Sequence, residues 1–193
     1  ILLILDEILN GLEQAVTLGF KTIKVNVVLM QSFNANEFLN FINWVKDKPI
    51  TLRFIELMQT GDNKKFFDEE HVRADRLIAQ LNSLGWQSIK KSITAGPAIE
   101  YEHKNSKGNI GFITPYSDDF CKTCNRLRIS AKGKLHLCLF GDGGFDLRPF
   151  MQSSIKQNDL IEQLQNQLGY KKDSHFLQNG NTGSTKHLAM IGG

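Results

Sequence analysis

TIKVNVVLMQSFNANEFLNFINWVKDKPITLRFIELM, residues 22–58, decides the fold class. Its first nine residues are rich in β-branched side chains, with Val25, Val27 and Leu29 on one face and Lys24, Asn26 and Val28 on the other. That period-two alternation predicts a strand. Asn34 followed by Glu37 has the spacing of a capping box and opens a helix through Phe38, Leu39, Phe41, Ile42 and Val45. Pro49 stops the helix, and TLRFIELM supplies a second strand at 51–58. Strand, helix, strand in this order predicts parallel pairing with a helical crossover.

Working outward, residues 4–19 read as a helix with Leu5, Ile8, Leu9, Leu12 and Val16 on one stripe and Gly19 at its end. A further helix is expected over 68–84, with Val72, Leu77, Ile78, Leu81 and Leu84 inward and Gly85 as terminator. Two parallel strands alone would leave exposed edges, so the sequence reads as starting inside a larger α/β domain. Beyond residue 85 the texture changes. SIKKSI, AIEYEH and NIGFIT have the look of short strands, and RLRIS-AKG-KLHLCLF that of a hairpin turning near Gly133. One more helix is expected over 153–168, followed by an irregular tail from about 171.

The totals exclude several classes. Over 193 residues, 41% are hydrophobic and 22% charged, ordinary values for a soluble globular protein. No apolar run reaches the ~20 residues that cross a bilayer. ILLILDEIL at the start is short, lacks a basic flank and contains Asp6 and Glu7, so it reads as a helix and not a signal peptide. A net charge of +3 is too small for general nucleic-acid binding. Neither membrane nor nucleic acid is therefore an expected partner, and the expected compartment is the cytoplasm.

The chemistry concentrates in FCKTCNR. Cys121 and Cys124 form a CxxC, and Cys138 returns across the hairpin. Three cysteines cannot complete a disulfide framework, and in a reducing compartment this spacing points to thiolate ligation of zinc or an iron–sulfur cluster. His136, two residues before Cys138 and so on the same strand face, could complete a Cys3His zinc site. Three cysteines on a [4Fe–4S] cluster would instead leave one iron open to substrate. Spacing alone leaves both open. Arg126 and Arg128 flank the site, and on a strand both would project to one side while Leu127 packs on the other. Two guanidiniums there suit phosphate or ribose oxygens. Lys24 and Arg53 are cations inside strands otherwise built for burial. If those strands line a barrel, the pair faces its interior, where a charge needs a partner or a ligand.

His71, His103, His175 and His187 share no metal spacing. GDGG at 141–144 lacks the Lys-Ser/Thr of a phosphate-binding loop. Glu69–Glu70 and Asp118–Asp119 read as solvated or capping acids.

KVNVVLM, LRFIELM, GFITPYSDDFCKTCNRLRIS, GKLHLCLFG and the terminal IGG together resemble the GTP 3′,8-cyclase family, radical SAM lyases of molybdenum cofactor (molybdopterin) biosynthesis. The resemblance implies an α/β fold: the C-terminal part of an incomplete (β/α) TIM-like barrel over 1–85, then a small α+β region over 86–193 that holds an iron–sulfur cluster. It implies that Cys121, Cys124 and Cys138 ligate a [4Fe–4S] cluster whose open iron takes the guanine of GTP. Lys24, Arg53, Arg126, Leu127 and Arg128 match positions near GTP, and Met58 a position contacting S-adenosylmethionine. Gly192 and Gly193 match terminal glycines that reach the active site, with Arg126 and Arg128 beside them in the catalytic set.

In that family a first [4Fe–4S] cluster, on a CxxxCxxC, reductively cleaves S-adenosylmethionine to a 5′-deoxyadenosyl radical. That radical takes a ribose hydrogen from GTP, and the sugar radical attacks guanine C8, on the way to (8S)-3′,8-cyclo-7,8-dihydroguanosine 5′-triphosphate. Cyclic pyranopterin monophosphate synthase then acts downstream, and a homodimer is compatible with the resemblance. The sequence holds no CxxxCxxC. It is therefore expected to be part of a longer protein and inactive alone. The competing reading is a zinc-ribbon-like Cys3His module, with Arg126, Arg128 and Lys90–Lys91 gripping RNA or a protein partner.

Overall fold

The computed structural model describes residues 2–92, 95–122, 124–141, 143–153, 156–172, 174–184 and 186–188. The chain is a mixed α/β protein that divides into two compact units. The first comprises Ile1–Glu56 and Val72–Thr114, the second Leu57–His71 and Pro115–Gly193.

The first unit follows the expected alternation. Helix α1 (Leu2–Thr17) leads to β1 (Lys24–Leu29), α2 (Phe38–Val45) and β2 (Thr51–Glu56), and β1 and β2 pair in parallel. The sheet does not stop there. Strand β5 (Asn109–Ile113) adds to β2 in parallel, and β4 (Ile99–Glu102) and β3 (Gln87–Ser88) follow antiparallel, giving the order β1-β2-β5-β4-β3. The edge that sequence reasoning left open on β2 is thus closed by residues nearly sixty positions later.

Alternation places Leu52, Phe54 and Glu56 of β2 on the core face, where all three are buried. Phe54 stacks on Phe112 with ring centroids 5.6 Å apart and meets Phe38 edge-on at 5.3 Å. Burying such rings contributes about 2–3 kcal/mol each. Among the described side chains of α1, Leu12 and Val16 join this core, while Leu5 and Ile8 of the expected stripe stay exposed. Gly108 enters β5 against backbone: a Cβ there would lie 2.5 Å from the Lys48 carbonyl and 2.6 Å from that of Val45.

Three expectations are corrected. Asn34 does not cap α2. Its Oδ1 accepts the Met30 N–H at 3.0 Å and its Nδ2 donates to the Val28 carbonyl at 2.9 Å, so it ties off the end of β1, and Glu37 stands at the N-cap. The helix expected over 68–84 is two helices, α3 (Lys64–Glu70) and α4 (Asp75–Ser83), because His71 turns extended. Leu77 and Leu81 face inward as expected, but Leu84 is exposed.

In the second unit the hairpin forms about Gly133, with β6 (Arg128–Ile129), β7 (Lys134–His136) and β8 (Phe145–Asp146) in one antiparallel sheet. Its strands are shorter than expected, ending before Cys138. Helix α5 (Gln157–Leu168) follows. The tail is irregular yet packed: His175 and Leu177 are buried, and the His175 ring sits 5.5 Å from Phe140 and 5.9 Å from Phe120. Among the described residues no helix is long and apolar enough to cross a membrane.

Candidate functional site

All three cysteines are free and half-buried in the second unit. The Cys124 N–H donates to the Cys121 carbonyl at 3.0 Å, the turn that the CxxC spacing predicts. Cys138 lies just past β7, and its Sγ accepts the Phe140 N–H at 3.4 Å. Burial pushes the Cys121 thiol above its ordinary value; the nearby Cys138 and Cys124 push the same way, against the pull of the His175 N–H and Lys171. Cys124 and Cys138 are thus both near enough to Cys121 for charge on either to be felt there.

The donor chemistry fits a soft, thiolate-held metal or cluster: reduced sulfurs, N–H groups directed at two of them, and a lysine that offsets accumulated negative charge. Their spacing is open. Among the described residues, no three His, Cys, Asp or Glu side chains are gathered closely enough to hold an ion as they stand.

Lys171, and His175 through its backbone, also shape this centre. Lys171 Nζ donates to the Arg126 carbonyl at 3.0 Å and also to the Leu137 carbonyl. His175 supplies its backbone N–H to Cys121, while its ring Nδ1 accepts the Leu177 N–H at 2.9 Å. Burial lowers the His175 imidazole pKa, with the Pro115 carbonyl opposing. Neither residue has a motif; both lie in a tail whose composition reads as loop. With Cys138, His136, Phe140 and Tyr170, His175 lines a cleft of about 420 Å³.

The arginine segment differs from expectation. Only Arg128 and Ile129 are in strand β6, so Arg126 and Arg128 are not alternate residues of one strand, and Leu127 is 40% exposed and not packed beneath them. Arg126 is exposed and Arg128 half-buried, opposite His136 in the β6–β7 register. Burial lowers the His136 pKa, aided by Lys134 and Arg128. The same-face argument for His136 and Cys138 fails too, since β7 ends at His136.

In the first unit, register puts Lys24, Asn26, Thr51 and Arg53 on the polar face of the sheet. Lys24 Nζ meets Glu100 Oε1 at 3.1 Å, and Arg53 Nε donates to Asn26 Oδ1 at 2.9 Å. The two cations therefore share a face, as expected, and each has a polar partner there. In the second unit, Met58, half-buried just after β2, has its carbonyl bonded by Asn63 Nδ2 at 3.0 Å. Gly192 and Gly193 lie outside the described residues.

Fold and centre define an α/β protein with a cation-flanked, cysteine-rich site. The family model described as Molybdenum Cofactor Synthesis C matches residues 50–177, and the chain belongs to that family. It is 51% identical over 187 residues to the GTP 3′,8-cyclase of Vibrio parahaemolyticus, covering 97% of this chain and 56% of that protein. It is 48% identical to the GTP 3′,8-cyclase of Stenotrophomonas maltophilia, over 98% of this chain and 58% of that protein. Identity to the enzyme of that name from Synechococcus elongatus is 46%, over 97% and 58%. The chain spans a little over half the length of these relatives.

Proposed function

We propose that the chain supplies the GTP-binding, cluster-bearing part of a radical SAM GTP 3′,8-cyclase of molybdenum cofactor biosynthesis. The chain's likeness to GTP 3′,8-cyclases over 97% of its length, with Cys124 and Cys138 near Cys121 and Lys171 beside it, supports this reading most directly. A [4Fe–4S] cluster held by three thiolates supplies one iron with an open position for a substrate atom. The five-stranded sheet is read as part of an incomplete (β/α) barrel.

Within this proposal the chain's residues bind and orient. Arg126 and Arg128 hold phosphate or ribose oxygens, Leu127 borders the nucleotide, and Lys24 and Arg53 contact GTP as further cations. Met58 contacts S-adenosylmethionine, and Gly192 and Gly193 extend the catalytic set with Arg126 and Arg128. Fixing GTP this way is a proximity effect, which lowers the barrier by removing motions before reaction. All three cysteines are committed to one centre, so none remains for a CxxxCxxC, and turnover by this chain alone is not expected. The product would pass to a cyclic pyranopterin monophosphate synthase.

Anaerobic reconstitution with iron and sulfide tests the reading. The expected result is a brown protein with about four irons per chain, its absorbance perturbed by GTP. A colourless protein with about one zinc, indifferent to GTP, would overturn it.

A further inference from the structure

One row of the first unit's sheet runs Asn26, Arg53, Gly111 and Glu100 across four strands, from β1 through β2 and β5 to β4. The row is arranged around the arginine. Asn26 Oδ1 takes Arg53 Nε at 2.9 Å. On the other side, a Cβ at Gly111 would lie 3.0 Å from Arg53 Cγ, so the arginine stem rests where any other residue would place a side chain. The neighbouring carboxylate is committed elsewhere: Glu100 pairs with Lys24, and among the described residues no acid pairs with Arg53.

Building on the reading of Arg53 as a GTP contact, we infer that Asn26 and Gly111 are positioning residues that present the Nη pair of Arg53 to a phosphate or similar oxyanion. The chemistry of the partner is the main support. A guanidinium held at Nε keeps its Nη fork for bidentate contact. An amide oxygen orients it without cancelling its charge, whereas a carboxylate at the same place would compete with the incoming anion. The side chain at position 111 matters for the complementary reason: added volume there displaces the stem and swings the fork.

Calorimetric titration of GTP and of inorganic tripolyphosphate into the chain separates the possibilities. Asn26→Ala should weaken binding about fivefold, a fraction of a charge-assisted hydrogen bond. Asn26→Asp should weaken it at least as much, although it keeps an oxygen for Nε. In an Arg53→Ala background, Asn26→Ala should add nothing, which a general structural role would not produce. Urea midpoints of the Asn26 variants should match the parent, since the residue is exposed.

Asn26→Asp binding as tightly as the parent, or an undiminished effect of Asn26→Ala without Arg53, would overturn the inference. If Arg53→Ala weakens binding and neither Asn26 variant does, the positioning role alone fails. If Arg53→Ala leaves binding unchanged, or the parent binds neither ligand, the reading of Arg53 as a GTP contact fails and the inference with it.

Discussion

Lys171, from the segment after α5, donates through Nζ to the backbone carbonyl of Arg126 at 3.0 Å and to that of Leu137. One ammonium therefore clips together two stretches, one following Cys124 and one preceding Cys138. The hairpin between them pairs Arg128 with His136 and Ile129 with Leu135, too few residues to set the separation of its ends alone. The lysine does so instead.

Lys171→Met should consequently destabilise the second unit by about 1.5–3 kcal/mol, the range for hydrogen bonds to a charged group. Lys171→Arg should recover part of that. Urea unfolding followed by Trp-independent far-UV circular dichroism gives the comparison, and unchanged midpoints for Lys171→Met would show that the clip is decorative.

Glu56 is a fully buried carboxylate at the end of β2. It accepts the Ala74 N–H at 2.8 Å and lies 3.7 Å from Arg73 Nε, anchoring the start of α4. Glu56→Ala is expected to cost about 3 kcal/mol, because it strands a buried N–H and opens a cavity. Glu56→Gln should cost less, as it keeps an acceptor for Ala74. Equilibrium unfolding of both variants checks the order.

Gly108→Ala tests a close approach of two backbones. The new Cβ would meet the carbonyls of Lys48, Val45 and Ile50 at 2.5, 2.6 and 2.8 Å, none of which can rotate aside. Parting β5 from the α2–β2 connection should cost at least about 2–3 kcal/mol, seen as a lowered Tm. An unshifted Tm would show that the connection yields easily.

Asp146 titrates unusually low. Its side-chain hydrogen bond with Arg148, at 2.8 Å to Nη2, and the Arg148 N–H hold its pKa down at about 2 against an ordinary 3.8. A depressed carboxylate stabilises the fold above its unfolded pKa, and that contribution fades as pH falls from about 3.8 through about 2. The Asp146 carboxyl carbon, followed by NMR, should show the low midpoint, and Arg148→Gln should return it toward 3.8.

Much of the fold was legible in local pattern. Val25, Val27 and Leu29 announced β1, TLRFIELM the strand that became β2, and Gly85 the end of α4, since periodicity and turn chemistry act over a few residues. Pairing across long separations was not. Nothing near Ile110 or Phe112 says that this strand inserts beside β2, and the break at His71 was hidden inside a continuous helical pattern. Asn34 followed by Glu37 read as a cap, yet the same amide found better partners on β1.

For the candidate site, the residue types and spacing of Cys121, Cys124 and Cys138 by themselves raised thiolate ligation as the expected chemistry, because sulfur is a soft donor wherever the chain goes. Lys24 and Arg53 were likewise conspicuous as cations in apolar strands. Only the tertiary structure decided which neutral and charged groups steady them: Lys171 at two carbonyls, His175 at a sulfur, Asn26 at a guanidinium and Glu100 at an ammonium. Such contacts join residues 27 to 76 positions apart along the chain, as Asn26 to Arg53 and Lys24 to Glu100. A hydrogen bond depends on distances of about 3 Å that folding alone sets, so no local reading of the sequence contains them.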